Sequence, residues 1–533
     1  MSMRRLCLAL VLLVLVGHRP AGADERSFIV SGVVYVERDG KPGRGAGERG
    51  VRDAVVSNGR HLVRTDATGR YRLPVRFGDV VFVVKPAGMR FVDRPDGLPR
   101  FWFRYFPSAT DGLPLQAARD AEHDFALLPA APGPAATTEV LLFADTQVKH
   151  AADIDYYRVD IVEPLLGRHQ ASFGITLGDV VDDRLSLYPA LNAVTARLGV
   201  PWFHVPGNHD MDTDAPGDDG ALATWRSVMG PDTYALEEGD TSFVLLDDVI
   251  HLGNRRYVGG LREDQFAFLE AYLGGLPKQR RIIIGMHIPL FDTDGRETFR
   301  RADRERLFRL LQPFERVLVL SGHTHTLRHH FHGPADGWHG AKPLHEFSVG
   351  AVAGSYWSGV KDAQGVPDAT MEDGTPNGHA TLRLARGGDH ALAWHPARLP
   401  PGNPAFTAAM ALHAPRVLRQ SAYPAWGVFA NVFMGTPDTR VEYRVDGGEW
   451  QPMRRVERPD PRLLAENVRD DDAPALRGYD RSPEAMPSTH LWRGALPTGL
   501  APGEHVVEVR AFDRWQGEQR ASTRYRLQPS PAP

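Results

Sequence analysis

Cysteine is all but missing from this 533-residue chain: the single one is Cys7. It sits in the first apolar stretch, so no disulfide staples the rest of the chain and no thiolate is on hand as nucleophile or metal ligand. Any metal would have to be held by His, Asp, Glu, Asn or Gln. Basic excess is missing too. A formal net charge of −4 and a pI near 6.6 leave no electrostatic footprint for a polyanion, so no nucleic-acid partner is expected. Long apolar runs are also missing. The run from Leu6 to Val16 is about half of the roughly 20 residues a spanning helix needs, and nothing later approaches that length.

That first run has the make-up of a secretory signal. Arg4 and Arg5 precede it, and Ala21-Gly22-Ala23 supplies small residues for cleavage. Residues 1–23 are therefore read as a signal peptide. The mature chain is expected to be periplasmic or secreted, with no transmembrane segment. A lipid-anchored form would need a cysteine at the cleavage point, and Cys7 comes too early.

The chain is too long for one hydrophobic core, and its 53 glycines and 42 prolines point to many turns. Residues 27–130 alternate short β-branched runs with turn signals such as Ser57-Asn58-Gly59 and Asp66-Ala67-Thr68-Gly69, which predicts a small β-sandwich-like module. A Pro/Ala/Gly linker covers 129–134. Beyond it, buried strands are expected at 140–144, 173–177, 202–205, 243–246, 282–286 and 317–320. Helices are expected at 156–168, 187–198, 263–273 and 303–311. The alternation argues an α/β layer fold over 137–352. Residues 353–528 read as a C-terminal β-rich module, with 456–480 as a charged, aperiodic loop.

Five of the predicted strands end in polar signatures: Asp145-Thr146-Gln147, Gly178-Asp179-Val180-Val181-Asp182, Gly207-Asn208-His209-Asp210, Gly285-Met286-His287 and Gly322-His323-Thr324-His325. Ligand sites in α/β sheets lie at the carboxyl ends of strands, so the five are placed to converge. Each alone has an ordinary reading, such as a turn, a cap or a core histidine. Their joint order does not.

Together they resemble the signature of the calcineurin-like metallophosphoesterases, and the flanking regions resemble a subgroup with added N- and C-terminal β-rich modules. The resemblance implies a four-layer α-β-β-α core and two divalent or trivalent metal ions, with Mn, Fe or Zn favoured by the mixed ligands. Asp145, Gln147, Asp179 and His325 would hold one ion. Asp179, Asn208, His287 and His323 would hold the other. Gln147 stands where the family pattern has His, which implies a retuned first site. The implied reaction is hydrolysis of phosphate esters by a metal-bridged hydroxide. His209 is implied as the catalytic acid, with Asp182 and Asp210 orienting the histidines.

Tyr356, Trp357 and Asn377, in loops after the last motif, are expected to line the substrate cleft. Histidines 329, 330, 332, 339 and 345 are expected in a solvated loop. Phosphodiesterase or pyrophosphatase activity on the same metals is an alternative, and a vestigial core in an envelope-binding protein is another. The outer modules are candidates for cell-envelope association. A metallo-oxidase or β-lactamase-like hydrolase is a weaker reading, because the His-x-His-x-Asp-His cluster of the lactamase-like fold is absent.

Overall fold

The computed structural model describes residues 27–41, 43–106, 120–130, 137–291 and 298–530. The expected signal peptide lies outside them. Among the described residues, no helix is long and apolar enough to cross a membrane.

Two sheets form the centre. The first has the strand order Trp202–Val205, Phe173–Leu177, Thr137–Phe143, Gly378–Ala385, His390–Pro396. Its first three strands are parallel, and Gly378–Ala385 adds antiparallel to Thr137–Phe143. The second has the order Tyr234–Glu238, Thr241–Leu245, Arg281–Gly285, Val317–Ser321, Leu344–Ser348, Arg328–His332, with four parallel strands between antiparallel outer ones. The central strands are apolar and buried on both faces, as parallel strands covered by helices require. Face-to-face packing is visible in the edge-on contact of Phe173 with Phe243, whose centroids are 5.1 Å apart. Helices Ala151–Tyr157 and Tyr188–Thr195 follow strands of the first sheet, and Glu263–Gly274 and Arg301–Leu311 precede and follow the strand Arg281–Gly285 of the second.

The sheet pairing moves one boundary. A core ending at 352 would leave Thr137–Phe143 as an open edge, but residues 378–396 fill it. The core is therefore discontinuous with the loops at 353–377, which leave its sheet and return.

Two further elements depart from the sequence expectation. The helix expected at 156–168 begins at Ala151 and passes through a wider turn over Arg158–Val162. Within 456–480 a helix runs Pro461–Asp472. Asp460 caps it by accepting from the Arg462 and Leu463 amides, and Pro461 occupies the first turn, where its missing N–H costs nothing.

The N-terminal module is a sandwich of two sheets, one built on Phe28–Val36 and the other on Val80–Val83. It shares its apolar interior with the core. Phe82 contacts Tyr234 and Phe268, and Phe101 contacts Phe203 and Tyr234, at centroid distances of 5.3 to 6.4 Å. Lys85 ion-pairs with Glu238 at 2.9 Å. The C-terminal module is different, because its two sheets enclose an apolar cluster of their own around Val428, Tyr443, Trp492 and Val507.

Candidate metal centre and cleft

Parallel strands deliver their carboxyl ends to one edge, and all five motifs meet there. Three glycines allow the approach. A Cβ on Gly178 would lie 2.4 Å from the His287 ring, one on Gly207 would lie 2.2 Å from Asp179 Oδ1, and one on Gly322 would lie 2.8 Å from Asp145 Oδ2. The backbone is forced as well. Asp145, Gln147, Asp179, His323 and His325 all have φ between 38° and 72°, a region side chains other than glycine's enter only when the surroundings impose it.

The hydrogen-bond geometry fixes where lone pairs point. His287 Nδ1 lies 2.9 Å from the Leu177 carbonyl oxygen, which can only accept, so this nitrogen carries the proton. Nε2 is left bare. It faces Asp179 Oδ2 at 3.2 Å, Asn208 Oδ1 at 3.1 Å and His323 Nδ1 at 3.2 Å. Four potential ligand atoms around one point, with the backbone setting the His287 tautomer from behind, is the chemistry of a transition-metal site. Asp179, His287 and His323 offer ligand atoms within 4.8 Å of one another.

A second set lies across Asp179. His325 Nδ1 donates to the Gly354 carbonyl at 2.6 Å, leaving Nε2 bare at 3.7 Å from Asp145 Oδ1. Gln147 Nε2 donates to Asp179 Oδ2 at 3.2 Å, and its Oε1 is buried with no partner. An orphaned amide oxygen beside two carboxylates fits a cation ligand. The residues present therefore fit a metal centre, and the unpartnered Gln147 oxygen is compatible with it.

The local field also favours positive charge. Burial alone would disfavour a cation at His287, but Asp179, Asp145 and Asp248 beside it outweigh burial, so Nε2 is a place where a cation, proton or metal, is held. Burial pushes Asp145 up to about 8. Asp248, not foreseen from sequence, accepts from the His287 and Ile288 amides at 2.9 Å each and so anchors the fourth motif. It follows a buried strand, as the other motif aspartates do, and that was the available signal.

His209 stands at the edge of this centre. Its amide donates to Asp179 Oδ1 at 2.9 Å, and its Nδ1 lies 3.2 Å from Asp182 and 3.0 Å from Asp183. Burial opposes protonation, but Asp182, Asp179 and Asp183 outweigh it and push the imidazole up to about 9. Asp183, missed from sequence, is as close as Asp182. Lys149 pairs with Asp182 at 2.9 Å, and Arg255 with Asp183 at 2.7 Å.

Asp210 does not orient a histidine. It is fully buried and accepts from the Val180, Val181 and Gly207 amides and the Tyr188 hydroxyl, so it ties the second motif to the third.

A cavity of about 640 Å³ opens beside His209 and Gln147. Tyr356 lines it, 51% exposed, with its ring 4.8 Å from that of His325. Trp357 does not. It is 1% exposed and its indole N–H donates to the Thr146 carbonyl. Asn377 is also excluded from the cleft, because it is buried and donates to Asp160 and to the Val352 carbonyl. Adjacent side chains diverge, so one aromatic of the pair faces the cleft and the other becomes its foundation. The far wall is Tyr479, Arg481 and Glu484 of the C-terminal module, at the end of the stretch 456–480 read from sequence as an aperiodic loop and just beyond it.

Of the histidine-rich segment, His339 lies exposed in a loop as expected, but the other four do not. His329, His330 and His332 lie on Arg328–His332, and His345 lies buried on Leu344–Ser348. His345 bridges His329 and His390 at 3.0 and 3.1 Å.

Three family models match in chain order: "N terminal of Calcineurin-like phosphoesterase" over 41–112, "Calcineurin-like phosphoesterase" over 138–327 and "C terminal of Calcineurin-like phosphoesterase" over 346–518. A curated relative, "Probable glycerophosphodiester phosphodiesterase GpdQ" of Arcobacter nitrofigilis, is 25% identical over 202 residues, which is 35% of this chain and 71% of the relative. A solved purple acid phosphatase from yellow lupin (Lupinus luteus) overlaps 65% of this chain and 67% of its own at 12% identity and a TM-score of 0.37. A cold-active protein-tyrosine phosphatase of a Shewanella species overlaps 60% of this chain and 96% of its own at 11% identity and a TM-score of 0.22. Those two likenesses are too slight to carry an argument. The ordered match of all three models, with every motif gathered at one edge of the paired sheets, is decisive: the chain belongs to the calcineurin-like phosphoesterases, in the arrangement with added terminal modules, and is a metal-dependent phosphoric ester hydrolase.

Proposed function

We propose that this chain is an exported phosphoesterase with a two-metal centre, Asp145, Gln147, Asp179 and His325 holding one ion and Asp179, Asn208, His287 and His323 the other. The observation that carries the reading is His287 Nε2, surrounded at 3.1 to 3.2 Å by three further atoms able to ligate a metal. When bound, Mn, Fe or Zn ions supply Lewis-acid stabilisation of the phosphoryl oxygens and a hydroxide at neutral pH.

The chain's own residues do the rest. Asp179 spans both ligand sets and positions the His209 amide. His209, held through Nδ1 by Asp182 and Asp183, is the proton donor to the departing alcohol oxygen. Trp357 and Asn377 brace the loops from below, and Tyr356 faces the ester. The breadth of the cleft favours a diester over a pyrophosphate, since a cavity of about 640 Å³ leaves room for a second organic group. The name of the Arcobacter relative is in keeping with that preference.

The test is direct. Metal-stripped protein should hydrolyse neither p-nitrophenyl phosphate nor bis-p-nitrophenyl phosphate, and added Mn should restore activity, faster on the diester. Full activity in the stripped chain would end the reading, and a faster monoester rate would end the diester preference. Export rests on residues 1–23. An amino terminus beginning after Ala23 in protein recovered from the periplasm or medium would support it, and an intact Met1 would refute it.

A further inference from the structure

We infer that the cavity beside His209 is a subsite for the alcohol portion of the ester, closed by residues 479–484 of the C-terminal module, and that it selects ring-bearing, hydroxyl-rich alcohols such as nucleosides. The inference rests on the phosphoesterase reading above and adds the substrate class.

The cavity is far larger than a phosphoryl group needs, and it runs from the metal centre outward to a different module. Two tyrosines bound it. Tyr356 from the core is 51% exposed and Tyr479 from the C-terminal module is 53% exposed. Large aromatic surfaces left open at a cleft are platforms for flat ligands, since ring faces stack with little geometric demand.

The charges say what else the ligand carries. Lys149 is paired with Asp182, and Arg481 is paired with Asp471, so neither cation is left over for a second anion. Glu372 and Glu484 line the same space and accept hydrogen bonds. Carboxylates repel a second phosphate and suit hydroxyl or amino donors. A neutral ring with such donors fits, and a polyphosphate does not.

The outer wall is fixed in place. The Ser482 amide donates to Asp470, and Asn467 bridges the Pro483 carbonyl and the Ala485 amide, tying the wall to the helix Pro461–Asp472. The Gly359 amide donates to the Asp480 carbonyl, tying it to the loop that carries Tyr356.

The experiment uses the full, Mn-loaded chain and two diesters with one leaving group, the p-nitrophenyl ester of thymidine monophosphate and methyl p-nitrophenyl phosphate. The expected result is a kcat/KM ratio of about tenfold or more in favour of the nucleoside ester. Tyr479→Ala should collapse that ratio through KM, and Tyr479→Phe should keep it. Tyr423→Ala, on an exposed ring outside the cleft, should leave it unchanged. A wild-type ratio near one, or an unaltered ratio in Tyr479→Ala, overturns the proposal. Should neither ester be hydrolysed, the catalytic reading has failed, and equilibrium binding of adenosine monophosphate still decides the subsite: about tenfold weaker binding in Tyr479→Ala supports it, and equal binding refutes it.

Discussion

Gly207 shows how little room the centre has. Its missing Cβ would stand 2.2 Å from Asp179 Oδ1 and 2.3 Å from the Asp179 backbone nitrogen, so Gly207→Ala must displace Asp179 as a whole, side chain and backbone. The expected outcome is metal loss with near-wild-type circular dichroism, measured by elemental analysis. Retention of the full metal complement would contradict the assigned ligands. His209→Asn should separate chemistry from binding, lowering kcat by about 10²–10⁴-fold while metal content stays constant. His204 makes a contrasting case. Its ring is buried with neither nitrogen partnered, and burial pushes its pKa down to about 3. The unfolded chain, with a value of about 6.5, binds the proton first. Stability is therefore intact above about pH 6.5 and is lost as pH falls from there toward about 3, by about 2 kcal/mol per such histidine at pH 5. His204→Leu should raise the urea midpoint at pH 5 more than at pH 8.

At the scale of elements, the C-terminal module is joined to the active-site loops by a buried polar chain. Asp373 accepts from the Leu327 amide and His490, His490 meets Asn431 at 2.7 Å, and Asn431 donates to Asp460, the cap of the helix Pro461–Asp472 behind the cleft wall. Asp373→Ala leaves His490 and the Leu327 amide without this acceptor, which should cost about 3–5 kcal/mol in chemical denaturation and lower activity as well. Local elements were the part the sequence revealed best. The central strands were visible because β-branched runs end in Gly-Asp, Gly-Asn and Gly-His, where chain reversal and polar chemistry coincide. The helix at 461–472 was hidden because Pro461 reads as a breaker unless Asp460 is recognised as its cap. Trp357 and Asn377 were misassigned because loop sequence carries no parity rule comparable to a strand's alternation. Tyr479 and Arg481 reach the cleft through tertiary contacts, which no local pattern encodes.

For the whole molecule, the two outer modules should behave unequally. Phe82, Phe91 and Phe101 of the N-terminal sandwich pack on Phe203, Tyr234 and Phe268 of the core. A chain truncated to begin at residue 137 would bare that aromatic surface and should aggregate on expression. A soluble, fully active truncation would show the sandwich to be dispensable. It shares the catalytic core's apolar interior, which leaves the C-terminal module as the one with its own core and a share in the cleft.

The strand Gly378–Ala385 gives the chain a fixed order of events. Val140 waits for Leu382 as its neighbour, so most of the polypeptide must emerge before the first sheet can close. A nascent chain halted before residue 378 would have every motif histidine and aspartate and still lack the strand that flanks Asp145. The edge beside Asp145 is thus completed by a segment that lies more than 230 residues further along the chain.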